Sequence, residues 1–139
     1  MYETIMVWET DPNVAAESPL RHDFAEVRRA ADKIVYSKTL EAVSTRNTQL
    51  ERNFDPEAIR RLKDSVQQDI HIGGAELAAL AFRSGLIDEC HLFLIPIIVG
   101  GGKQALPDYV RLELELLDER RFGNGEIFLR YRTKPGKSA

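Results

Sequence analysis

One cysteine is too few for an internal disulfide. Cys90 sits in the apolar run Cys90–Pro96, which points to a buried strand position rather than a reactive thiol. No apolar stretch approaches the roughly 20 residues that cross a bilayer. The opening Met1–Asp11 also lacks a basic segment leading into a long apolar one. A soluble, unexported, cytoplasmic protein is expected. An excess of one charge is lacking too: 19 Lys and Arg stand against 22 Asp and Glu, and no basic stripe alternates with aromatics. That balance argues against nucleic acid as a partner. The three histidines, His22, His71 and His91, are far apart and show no metal-ligand spacing, so no metal is expected. There is no G-x-S-x-G elbow and no Cys/His arrangement. No catalytic residue can be assigned from a motif, and no internal repeat is present.

What the chain does have is a length of 139 residues with 43% hydrophobic content, enough for one compact core. A single domain over residues 1–133 is expected, with residues 134–139 a disordered tail. The spacing of Tyr2, Ile5, Met6 and Trp8 suits a short helix over Tyr2–Trp8, broken by Asp11-Pro12-Asn13. A second helix is predicted over Leu20–Ala31, with Phe24 and Val27 inward and Arg21, Glu26, Arg28 and Arg29 in water. Lys33–Ser37 and Thr48–Arg52 read as strands. Asp55-Pro56-Glu57 combines a cap, a first-turn proline and an acid, which starts a helix running to Val66. Asp69–Ile72 reads as a strand, Gly73-Gly74 as a turn and Ala75–Ser84 as a helix ended by Gly85. Strands are then expected at Glu89–Val99, Arg111–Arg121 and Glu126–Arg132, the last two joined by the turn Phe122–Gly125. Glu113, Glu115, Asp118 and Glu119 read as the wet face of their strand. Alternating helices and strands followed by consecutive strands imply an α/β fold with a mixed, mainly parallel sheet, flanking helices and a C-terminal antiparallel hairpin.

Chemistry has its best opportunity at Ile70–Leu77. Two glycines between a strand and a helix allow close backbone approach and leave amides free at the positive end of the helix dipole. Such a site favours phosphate, although the dipeptide alone does not distinguish a phosphate turn from a plain tight turn. Ser37-Lys38-Thr39 follows a strand at the carboxyl end of the sheet, where open α/β sheets place ligands. Its hydroxyls and ammonium suit a 2′-phosphate, and a turn-forming serine is the ordinary alternative. Gly100–Lys103 is either a phosphate or substrate loop or a flexible reversal. Glu76 and Asp88 are conceivable proton donors, though both positions have ordinary stabilising roles.

The stretch Asp69–Lys103, with Lys33–Leu40, Asn47–Glu51 and the closing strand pair, resembles the reductase domain of the bacterial bifunctional deaminase-reductases of riboflavin synthesis and their dihydrofolate reductase-like relatives. The resemblance covers nearly all of the chain. It implies a dihydrofolate reductase-like fold and an NADPH-dependent reductase that passes hydride to a small heterocycle or a ribosylamino-pyrimidine. It also implies that Gly73, Gly74, Ala75, Glu76 and Leu77 line the cofactor phosphates and that Ser37, Lys38 and Thr39 meet the adenosine end. Substrate would lie near Pro96, Gly100, Gly101 and Gly102. The riboflavin enzymes carry a carboxylate just ahead of the glycine turn, where this chain has Ile72, so the likeness is to the wider family.

Tyr2-Glu3-Thr4 resembles the helix that in the family follows a Gly-Arg cofactor loop, and the chain is expected to lack the part of the fold before it. A sheet without that part would present open edges and apolar faces. Pairing with a second copy as a dimer, a rearranged sheet, or a shortened reading of a longer gene is therefore expected, together with weakened NADPH affinity. The competing function is a catalytically silent oligomeric module that keeps the scaffold with weak or no nucleotide binding.

Overall fold

The structure, a computed structural model, describes residues 1–134. Its elements fall into two compact units divided between Asp55 and Pro56. The α/β class with both parallel and antiparallel sheet is what the chain adopts. Among the described residues its parallel part is limited to one strand pair.

The first unit opens with α1 (Tyr2–Ile5), α2 (Val7–Thr10) and α3 (Pro12–Ala16), followed by α4 (Pro19–Ala30). Asp11-Pro12 ends α2, as expected, with Asp11 as its C-cap, and also starts α3: the Asp11 side chain accepts the Asn13 amide at 2.9 Å and Pro12 occupies the first turn. Ser18 caps α4 in the same way through the Arg21 amide at 3.3 Å. The expected inner face of α4 is corrected. Ala25 is fully buried, whereas Phe24 and Val27 are exposed. Arg28 and Arg29 are drawn inward because the almost completely buried Glu9 carboxylate pairs with Arg28 at 3.4 Å, and Arg29 Nε donates to the Glu9 carbonyl at 3.2 Å. Ion pairing here outranks the apolar stripe. Strands β1 (Lys33–Tyr36) and β2 (Thr48–Glu51) pair in parallel, Lys33 opposite Thr48 and Tyr36 opposite Glu51.

The second unit holds α5 (Pro56–Ser65), α6 (Ala75–Arg83) and strands β3 (Glu89–Leu94), β4 (Leu114–Arg121) and β5 (Ile127–Thr133). The three strands form an antiparallel sheet in the order β3-β5-β4. Helix α5 is tied to the segment after α6: Arg60 Nη2 donates to the Ser84 carbonyl at 2.8 Å and Lys63 Nζ to the Leu86 carbonyl at 2.9 Å. Strand β3 stops at Leu94, short of the expected Val99, because Pro96 has no amide to continue a ladder. A bulge between Leu116 and Asp118 shifts the register of β4, leaving Asp118 half-buried while Glu113, Glu115 and Glu119 stay exposed.

Asp69–Ile72 is not a strand. No described segment pairs with it, and an unpaired run cannot make a ladder however strong its β-propensity. Apolar burial is modest: Ala15 and Ala25 in the first unit, and Ala81, Leu86 and Cys90 in the second. Among the described residues no large side chain is fully buried, and no helix is long and apolar enough to cross a membrane. Of the expected disordered tail, Lys134 donates its amide to the Glu113 carbonyl at 2.9 Å, and the remainder lies outside the described residues.

Candidate functional site

The glycine turn delivers what its sequence suggests locally. Gly74 is the N-cap of α6 with φ 96° and ψ 123°, a conformation that a side chain with a Cβ rarely adopts. No side chain caps this helix, and the Gly74 carbonyl already accepts the Ala78 amide at 2.9 Å. The amides of the first turn, from Ala75 to Leu77, are thus left for an outside acceptor. They sit at the positive end of a nine-residue helix.

Gly100, Gly101 and Gly102 all have positive φ, at 66°, 158° and 114°. This run reaches the same place, because Lys103 makes a hydrogen-bonded ion pair with Glu76 in the first turn of α6. The Lys103 hydrogen bond, followed by its charge, holds the Glu76 carboxyl below its ordinary range. The pairing neutralises the acid that would otherwise repel a phosphate at this helix start. Pro96 lies next to the hairpin glycine: a Cβ placed on Gly125 would come within 3.4 Å of its ring. Glycine turn, helix start and glycine-rich loop therefore converge within the second unit.

Ser37, Lys38 and Thr39 belong to the first unit and follow β1 at its carboxyl end. Ser37 Oγ is occupied as a turn former, accepting the Leu40 amide at 3.0 Å and the Thr39 amide at 3.4 Å. Lys38 is exposed. The loop's shape depends on Arg52, a residue that sequence reasoning passed over. Its Nη1 donates to the Ser37 carbonyl at 3.0 Å and also to the Leu40 carbonyl, while Nη2 reaches the Glu41 carbonyl at 3.5 Å. The available signal was its place one residue beyond β2, beside the end of the parallel neighbour β1.

Several other titratable groups have structural partners. Asp88 pairs with Lys63. Glu89 receives a two-pronged Arg130 contact, Nε at 2.7 Å and Nη2 at 3.0 Å, which holds its carboxyl down at about 2. His91 stacks edge-on against Phe128 at 5.7 Å between ring centres, and His22 is exposed on α4. His71 lies in the unpaired segment before the glycine turn and is exposed rather than held in a strand. Burial raises the Cys90 thiol above its ordinary value. Among the described residues no cluster of His, Cys, Asp or Glu is arranged to hold a metal ion.

Comparison with known proteins shows the family and the fold. Residues 14–128 match the RibD C-terminal domain family. The uncharacterized protein YyaP of Bacillus subtilis (strain 168) is 30% identical over 101 residues, covering 71% of this chain and 53% of that protein. A crystal structure of a candidate riboflavin biosynthesis protein from Shewanella sp. PV-4 superposes with a TM-score of 0.63 at 20% identity, covering 73% of this chain and 60% of that one. At that identity the likeness establishes the fold. The chain spans about half the length of the curated relative.

Proposed function

Because the chain belongs to the RibD C-terminal domain family, we propose that it is an NADPH-dependent reductase of the riboflavin-biosynthesis type, acting in the cytoplasm on a small heterocyclic or ribosylamino-pyrimidine substrate. The observation that carries this reading is the uncapped start of α6 at Gly74, with Lys103 beside it. Backbone amides and an ammonium suit the pyrophosphate of a dinucleotide, and Gly74 keeps a side chain from filling the cradle. Bound there, the cofactor would supply the hydride. The chain's own work is to bind and orient, with Gly73, Gly74, Ala75, Glu76 and Leu77 of the second unit along the phosphates. Pro96 and Gly100–Gly102 would face substrate.

The same reading includes self-association. Ile97, Ile98 and Val99 are exposed at 67%, 97% and 76%, and a second copy offers apolar surface to cover them. A second function is favoured by a specific observation, the unpaired Ile70–Ile72 run ahead of the glycine turn. A site entered from an unbraced segment would bind nucleotide weakly and leave a catalytically silent oligomeric module. Thermal-shift titration separates the two, since a ligand that binds only the native state raises apparent stability. The reductase reading expects NADPH to raise the melting temperature more than NADH does. No shift with either would favour the silent module.

A further inference from the structure

At the amino end of the β1–β2 sheet, opposite Ser37–Thr39, the chain enters β2 through Ser44-Thr45-Arg46. The backbone amides of Ser44 and Thr45 converge on one oxygen, the Tyr2 phenol, at 2.8 and 3.2 Å. The hydroxyls around it are committed elsewhere. Thr48 Oγ1 donates to the Arg46 carbonyl at 2.8 Å, so at 2.7 Å it must accept the Thr45 proton, and Thr45 Oγ1 is left to accept from Tyr2 at 3.2 Å. The amide pair is therefore what holds the phenol oxygen. Two successive N–H groups aimed at one acceptor make an anion-binding nest. Burial pushes the Tyr2 hydroxyl up, but hydrogen bonds from Ser44 and Thr45 outweigh it and leave the group below its ordinary value.

Beside this nest lies a cavity of about 320 Å3 lined only by polar and charged side chains: Glu9, Thr10, Arg29, Ser44, Thr45 and Arg46. Glu9 is already offset by Arg28 at 3.4 Å and Lys33 at 3.2 Å. Arg29 spends Nε on the Glu9 carbonyl and Nη1 on Glu26 at 2.6 Å, which leaves Nη2. The Arg46 guanidinium has no partner among the described residues. The surroundings thus hold four cations against two carboxylates, with one planar fork of donors unused.

We propose that this cavity is a second binding site, for a phosphate group, whose oxygen replaces the Tyr2 phenol on the Ser44 and Thr45 amides while Arg46 grips the remaining oxygens. A phosphate offers three terminal oxygens to the fork and the amide pair, whereas a carboxylate offers two. The phenol can leave without disturbing a core, because α1 is four residues long and has no buried residue. The site is built from the first unit alone and does not depend on the reductase reading. Its phosphate is either inorganic or carried by a small phosphomonoester.

Titration calorimetry of the full chain with inorganic phosphate, and separately with glycerol 3-phosphate, tests the site at constant ionic strength. Saturable binding to the wild type is expected, tighter for whichever source is the natural one. Arg46→Gln is expected to weaken it by roughly tenfold or more, as loss of hydrogen bonds to a charged group implies. Tyr2→Phe, which removes the competing oxygen, is expected to tighten it severalfold, a gain that a purely structural tyrosine would not produce. Absence of saturable binding to the wild type, or wild-type affinity in Arg46→Gln, would overturn the proposal.

Discussion

Lys103 pairs with Glu76, bringing the cationic end of a three-glycine loop onto the first turn of α6. Both side chains are largely exposed, so the pair adds little stability; its meaning is proximity. Lys103→Ala is expected to weaken NADPH binding severalfold, because it removes a cation and leaves Glu76 uncompensated at the phosphate site. Glu76→Gln is expected to strengthen it. Both should change unfolding free energy by less than about 0.5 kcal/mol. Fluorescence titration and urea unfolding on the two variants check the opposite signs.

Gly74 carries the backbone conformation that opens the helix start. Forcing a Cβ into it costs about 1–3 kcal/mol, so Gly74→Val should lower stability by that amount and also reduce NADPH affinity. A variant that loses stability but keeps its affinity would show that the turn is only structural. Urea unfolding with parallel nucleotide titration separates the two effects.

Arg52 braces the loop after β1 through three carbonyls. Arg52→Lys keeps the charge but loses the fork, and it should behave like Arg52→Gln, with faster amide exchange over residues 37–41. Rescue by lysine would mean that charge alone matters.

The Glu89–Arg130 contact sets an acid limit. The folded Glu89 carboxyl is held at about 2 by its Arg130 hydrogen bonds, below the ordinary 4.5. A depressed carboxyl contributes stability that is fully present above the unfolded value and lost as pH falls through the folded one. The contribution should therefore fade between about pH 4.5 and pH 2. Chemical denaturation from pH 6 down to pH 2 should show a smaller acid-dependent loss for Glu89→Gln than for the wild type.

The exposed Ile97–Val99 run predicts association. Size-exclusion chromatography with light scattering should give a dimer, and Ile98→Asp should shift it toward monomer. A well-folded wild-type monomer would count against the second copy.

Elements with local determinants were legible in the sequence, and those that depend on a distant partner were not. Pro56 starts a helix where its capping chemistry places it, and Asp11-Pro12 ends α2 as expected before the same two residues start α3. Asp69–Ile72 has the composition of a strand, but pairing is a property of two segments, and the sequence of one cannot supply the other. The inner face of α4 was hidden for a related reason: the buried Glu9 that draws Arg28 inward lies on α2. At the candidate site Gly74 and Gly100–Gly102 were readable because a positive φ demands glycine. Arg52 was missed because its role appears only once β1 and β2 lie side by side.

On the proposed function, the first-turn amides of α6 receive the anionic oxygens of a dinucleotide. The most direct measurement is an NMR titration of labelled protein with NADPH, following the amide resonances of Gly74, Ala75 and Glu76. Large saturable shifts at these three positions, greater than those at α5, are the predicted result. NADPH binding that leaves them unmoved, or no binding at millimolar NADPH, would contradict it.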